Sequence, residues 1–263
     1  MPGYLPKPPV CILNRAHPLA RGLVAAWPFD EGGGGKTVRD AVGSNHGTAQ
    51  AYNKWTGGKF GHCMAFNGTS DYVGVGTAST LDITSEITLS AWVSLNSIVD
   101  VDIISKSNPS PVAPYHQYIL HISSKSKLYL AGDDGGTVRV YAIDTTNFPV
   151  GGWHHAVATH DGVWSRLYID GIQRVAANTY TGGFVSHPTW PLNIGKVAYG
   201  TYFPNGSIDD VRLYNRALSA QEVAAVYADP WAIYRPSRGW LKVALMGAWW
   251  HRNMIRDRRS GVR

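Results

Sequence analysis

Glutamate is scarce in this chain: 263 residues contain only Glu31, Glu86 and Glu222. They fall in a glycine loop, before a strand-like run and inside a helix-start pattern. Glycoside hydrolysis needs two carboxylates facing each other across the substrate, about 5 Å apart for retention and farther for inversion. The neighbours Asp133 and Asp134 point apart ahead of Gly135. The glycine run Gly32–Gly35 is followed by Lys36 and Thr37 but by no helical pattern, so it is not a phosphate-binding loop. With no nucleophile, base and orienter together, no catalytic residue is expected and the chain reads as a non-enzyme. Cysteine is nearly absent too. Cys11 and Cys63 are too few for a disulfide framework, leaving reduced thiols or one bridge between them. No apolar run reaches the eighteen or so residues of a membrane span; the longest, Trp240 to Trp250, is interrupted by Lys242. The first 22 residues lack a basic segment followed by an apolar one, so a protein made in a cytoplasm, without membrane insertion, is expected.

What is present is unevenly placed. The net charge of +6 lies entirely in residues 229–263, where eight Lys/Arg face Asp229 and Asp257 (8 − 2 = +6). The same stretch holds Trp231, Tyr234, Trp240, Trp249 and Trp250. An aromatic, cationic tail on a neutral body suits docking, with Arg235, Arg238, Trp240, Trp249, Trp250, Arg256, Arg258 and Arg259 as the anchoring residues. An acidic protein surface is favoured over nucleic acid, because no nucleic-acid motif precedes the cluster. Pro2, Pro6, Pro8, Pro9 and Pro18 make residues 1–22 an extended arm close to polyproline II.

Between these termini, residues 23–228 read as one all-β domain. Alternating β-branched and aromatic residues mark strands at Leu23–Phe29, Tyr72–Val75, Ile87–Leu95, Gln117–Ser123, Lys127–Ala131, His154–His160, Ser165–Gly171, Pro191–Gly195 and Ser207–Asn215. Asn67-Gly68, Asp161-Gly162, Asp170-Gly171 and Asn205-Gly206 supply tight turns. So many antiparallel strands imply two packed sheets. Trp27 and Trp92 are expected in the core, as are Trp153, Val157, Trp164, Leu167 and Ile169, while the adjacent His154 and His155 face opposite sides and cannot share a metal. One helix is expected over Leu218–Asp229, capped by Ser219 with Glu222 completing a capping box.

The segments LVAAWPFDEGGG, GGKFGHCMAFNGTSDYV, ITLSAWV, WHHAVATHDG, RLYIDG and GSIDDVRLYNRALSAQEVAAVY, in this order, resemble a laminin G-like domain. That family belongs to the concanavalin A-type jelly rolls. NRAHPLARGLVAAW and DPWAIYRP are similar to flanks of laminin G-like proteins of tailed bacteriophages. The resemblance implies a two-sheet antiparallel jelly-roll sandwich and, in many members, a calcium ion held by oxygen ligands. The matching acids are Asp30, Asp71 and Asp209; Asp209 is expected on the core face with Val211 and Leu213, where a carboxylate needs a cation or donors. The alternative is that Asp209 accepts backbone amides and Asp71 serves a turn. For a lectin, Trp55, Tyr115, Trp190 and Tyr202 would stack on sugar rings. The resemblance thus implies a virion structural protein, a capsid decoration or tail component, oligomeric in its assembly, held to other virion proteins by its arms and able to touch a host surface glycan. The alternative is a calcium-dependent carbohydrate-binding module outside any virion.

Overall fold

A computed structural model of the chain describes residues 11–50, 54–97, 100–135, 138–177, 181–198, 200 and 203–234. Strands follow in chain order as β1 (Leu23–Trp27), β2 (Thr37–Val38), β3 (Gly47–Gln50), β4 (Lys54–Gly57), β5 (His62–Asn67), β6 (Tyr72–Gly76), β7 (Ile87–Leu95) and β8 (Val101–Ser107). They continue as β9 (His116–Ile122), β10 (Leu128–Asp133), β11 (Val138–Ile143), β12 (His154–His160), β13 (Ser165–Ile169), β14 (Ile172–Ala177), β15 (Leu192–Ile194) and β16 (Asn205–Tyr214), before helix α1 (Ala220–Ala228). All pairings are antiparallel. One sheet runs β14-β13-β12-β7-β16-β5-β4, with β1 sharing the far edge of β16; the other runs β11-β10-β9-β8-β15-β6-β3-β2. This is the two-sheet sandwich that the alternation predicts.

The core between the sheets is aliphatic and aromatic: Trp27, Leu89, Val93, Ile104, Tyr118, Leu120, Leu130, Leu167, Ile194 and Leu213 are buried there. A second apolar layer covers the other face of the β7–β16 sheet. Trp92, Val157, Tyr168 and Tyr214 point into it from the strands, and Val223 and Val226 of α1 close it. The helix begins as expected, because Ser219 Oγ accepts from Glu222 N and Glu222 reaches back to the Ser219 amide. Leu19, Trp231, Ile233 and Tyr234 complete this layer, and Asn14 N donates to Ile233 O at 2.7 Å. Residues 11–22 and 229–234, read from sequence as parts of the two docking arms, therefore contribute to this layer of the domain. Pro18 does not keep its segment extended, since it occupies the first turn of a short 3-10 helix (Pro18–Ala20), where a missing N–H costs nothing. The tail's anchoring residues beyond Tyr234 lie outside the described residues.

Other expectations are corrected by register. A bulge between Asp209 and Arg212, with Asp210 at φ 44°, shifts the alternation of β16. Ile208, Val211 and Leu213 face the inter-sheet core, whereas Asp209 lies opposite Trp92, on the other face. The bulge also brings Arg212 beside Asp210 in full burial, Nε to Oδ1 at 3.0 Å and Nη2 to Oδ2 at 2.7 Å. Asn205-Gly206 is not a turn but the start of β16, where glycine is required because a Cβ would sit 2.1 Å from the Ser94 carbonyl oxygen. Trp164 is 41% exposed at a hairpin tip. Strand β8 carries Asp102, Ser105, Lys106 and Ser107, polar residues that hid it from pattern reading although all are buried.

Candidate functional site

The expected calcium ligands do not come together. Asp71 Oδ2 accepts from Asn67 N at 3.0 Å and closes the Asn67–Asp71 turn. Asp209, fully buried, accepts from Phe60 N at 3.1 Å through Oδ2. Asp30 Oδ2 receives the Cys11 thiol at 3.3 Å. Calcium needs six to eight oxygens around one point. Among the described residues, no three or more His, Cys, Asp or Glu side chains are arranged to hold a metal ion. Each of the three aspartates accepts a backbone or thiol donor, and the bulge puts Asp209 on the face opposite the one expected.

Trp55 on β4 is half-buried against the core and donates Nε1–H to Gly35 O at 3.1 Å. Trp190 is 9% exposed and lies flat on the His187 ring, 3.5 Å between centroids. Tyr115 is exposed in the loop before β9. Tyr202 lies outside the described residues. None of the described three lines the groove over β3, β6 and β15.

That concavity, of about 470 Å³, opens on the outward face of the second sheet. Thr48 of β3, Gly74 of β6 and Asn193 of β15 stand side by side in register, and Gln50 pairs with Tyr72 one step along. Their neighbours Ala49, Val73 and Ile194 point the other way into the core. Period-two alternation thus puts a polar strip outward wherever the inward residue is apolar. Gly74 and Gly76 leave the floor without side chains; Gly76, at φ 102°, also accommodates the register shift opposite Leu192 and Asn193. His46, Pro109, Pro191 and Lys196 contribute to the rim.

The electrostatics of the groove are one-sided. Lys196 Nζ lies 4.3 Å from the centroid of the Tyr72 ring and 5.8 Å from that of Phe203. His46 Nδ1 accepts the Asp40 amide at 3.0 Å, which places the ring proton of neutral His46 on Nε2. Gln50 Nε2 donates to Thr48 O at 3.3 Å, leaving its carbonyl oxygen for a ligand hydroxyl. Among the described residues, no carboxylate lines the groove. It can therefore bind and orient hydroxyls and anions, but it offers no acid–nucleophile pair.

The same sheet face continues into polar networks around Ser105 and Asp102, while Lys106, opposite Leu192 and Tyr118, lies on the other side of the strand. Ser105, opposite Asn193 in register, contacts Ser107, and Ser107 Oγ lies 3.1 Å from His116 Nδ1. Burial pushes His116 down to about 4. Asp102 and His121 pair at 2.5 Å, with Tyr129 packed on the imidazole. Lys106 donates to the carbonyls of His187 and Trp190, each at 2.7 Å, and burial lowers its pKa to about 8. These groups satisfy one another and fix the loops that flank the groove.

Reading from sequence missed Tyr72, Asn193, Gln50 and Lys196. The available signal was Tyr-Val-Gly-Val-Gly at 72–76, where alternate glycines leave one strand face bare. The family described as the concanavalin A-like lectin/glucanases superfamily matches residues 67–224. No curated protein matches the sequence. Among solved structures, domain 4 of a GH43 extracellular arabinanase from Geobacillus stearothermophilus, in complex with arabinotriose, is similar at TM-score 0.62 and 17% identity, covering 79% of this chain and 98% of that one. The binding domain of Paraclostridial Mosquitocidal Protein 1 follows at TM-score 0.60 and 15% identity, covering 80% and 52%. Trypanosoma rangeli sialidase gives TM-score 0.58 and 14% identity, covering 82% of this chain and 34% of the enzyme. At these identities the likeness concerns the fold.

Proposed function

Since the chain belongs to the concanavalin A-like lectin/glucanases superfamily, we propose that it is a non-enzymatic carbohydrate-binding module whose site is the groove over β3, β6 and β15. The observation that carries this reading is the composition of that groove. It combines a side-chain-free glycine floor, outward amide and hydroxyl groups from Gln50, Asn193 and Thr48, and the aromatic ring of Tyr72. Its volume of about 470 Å³ falls within the roughly 300–1,000 Å³ of ligand sites. The bound arabinotriose of the arabinanase domain supports the reading by analogy of fold.

The test is a glycan array with the full chain, followed by titration calorimetry on the hits. Asn193→Ala and Gln50→Ala are expected to remove binding, while Tyr115→Ala, in a loop outside the groove, leaves it intact. Hits that survive both groove substitutions would place the site elsewhere.

A second reading rests on the charge partition. With the whole net charge of +6 in residues 229–263, the tail would hold the domain to an acidic surface of a larger assembly, as in a virion structural protein, with the groove turned outward. Arg256→Ala, Arg258→Ala and Arg259→Ala together are then expected to release the protein in a salt-sensitive manner. Retention of that triple variant in purified particles would remove this reading.

A further inference from the structure

We infer that the groove selects anionic saccharides, sugars bearing a carboxylate or sulfate, with Lys196 as the residue that recognises the anion; this rests on the groove being the binding site. Lys196 is half-buried at the rim, and among the described residues it has no ion-pair or hydrogen-bond partner; its contacts are the rings of Tyr72 and Phe203. A lysine in this position on an ordinary surface would be expected to find a carboxylate or to extend into water. Here it is held over an aromatic face, which orients the ammonium without neutralising it. The ammonium thus occupies one face of the Tyr72 ring, beside the groove's hydroxyl and amide groups.

The surrounding chemistry agrees. Among the described residues, no Asp or Glu lines the groove to repel an anion or compete for the ammonium. Asn193 carries amide N–H donors in the same strip, and His46 has its free proton on Nε2. Charge-assisted hydrogen bonds from an ammonium are roughly twice as strong as neutral ones, so one such contact sets the preference for charged over neutral sugars. The glycine floor at Gly74 and Gly76 lets a ring settle close to the sheet, within reach of the rim.

The experiment uses the full chain and three probes of equal length: an oligogalacturonate, the corresponding neutral oligogalactose and a sulfated oligosaccharide. Binding is measured by calorimetry at low and high salt. The tail carries +6 of its own, so the decisive comparison is wild type against Lys196→Gln and Lys196→Arg, in which the tail is unchanged. Expected is at least a tenfold preference for one or both anionic probes over the neutral one, weakening with salt. Lys196→Gln should abolish the preference and Lys196→Arg largely retain it. Uronate and sulfate arms tell which anion is meant. Equal binding of neutral and anionic probes, still dependent on Asn193, would overturn the anion preference and leave the groove reading standing. Anionic binding unchanged by Lys196→Gln would assign it to the tail and overturn the inference. No binding of any probe, and no array hit that depends on Asn193 or Gln50, would overturn both.

Discussion

The buried His155 makes the domain acid-sensitive, by an amount the structure allows to be worked out. His155 on β12 is fully buried beside the stacked rings of Trp92 and Tyr227, at 5.1 and 6.1 Å between centroids. Its Nε2 lies 2.8 Å from Ser90 Oγ, and Nδ1 has no hydrogen-bond partner among the described residues. A second proton would sit on Nδ1 with no acceptor, in a desolvated layer near Arg212; burial first and this cation second bring the pKa down to about 3. Unfolded, the imidazole titrates near 6.5. Between those values the unfolded chain binds the extra proton and the native one does not, so stability is complete above about pH 6.5 and declines as pH falls towards 3. At pH 4.5 the loss from His155 is about 2.7 kcal/mol, two pH units at 1.36 kcal/mol each. His116, pushed to about 4 mainly by burial, adds a loss of similar size by the same linkage. Together they remove about 5 kcal/mol, against a total of about 5–15 kcal/mol for a domain. At roughly 2–4 °C per kcal/mol for a domain of this length, the melting temperature should fall by about 10–20 °C between pH 7.5 and 4.5. Calorimetry measures this, and His155→Phe, which keeps a ring packed beside Trp92 and Tyr227, should recover about half of it. A flat melting temperature over that range, or an NMR titration of His155 with its midpoint near 6.5, would refute the reasoning.

The remaining expectations concern other buried features. Arg212→Met should cost about 3–5 kcal/mol in urea unfolding, because it strands the buried Asp210 carboxylate, and adding Asp210→Asn should restore part of the loss. Gly206→Ala should destabilise by about 1–3 kcal/mol or more, since its Cβ would meet the Ser94 carbonyl oxygen at 2.1 Å. A chain ending at Ala228 should melt well below one ending at Tyr234, which keeps Trp231, Ile233 and Tyr234 in the layer under α1; equal melting would contradict that packing. A chelator should leave the melting temperature unchanged, because Asp30, Asp71 and Asp209 serve separate donors, and a drop of several degrees would put a metal site back under consideration.

Local pattern determined a good deal. Strands β7 and β12 lie where alternation places them, and the Ser219–Glu222 capping box opens α1 as written, because these features depend on neighbours within a few residues. Antiparallel strands in that number also imply a two-sheet sandwich, which is what the structure shows. The candidate site was not legible in the same way. Tyr72, Asn193 and Lys196 come from segments over a hundred residues apart, and only the pairing of β6 with β15 brings them to one face. Register decided Asp209 as well, since one bulged residue at Asp210 turns a carboxylate expected on the core side to the opposite face. The boundaries of the domain were likewise tertiary. Leu19 and Trp231 read as parts of arms because nothing near them in sequence is their partner; they are buried because the outer face of the β7–β16 sheet, with Trp92 and Tyr168 on it, has to be covered.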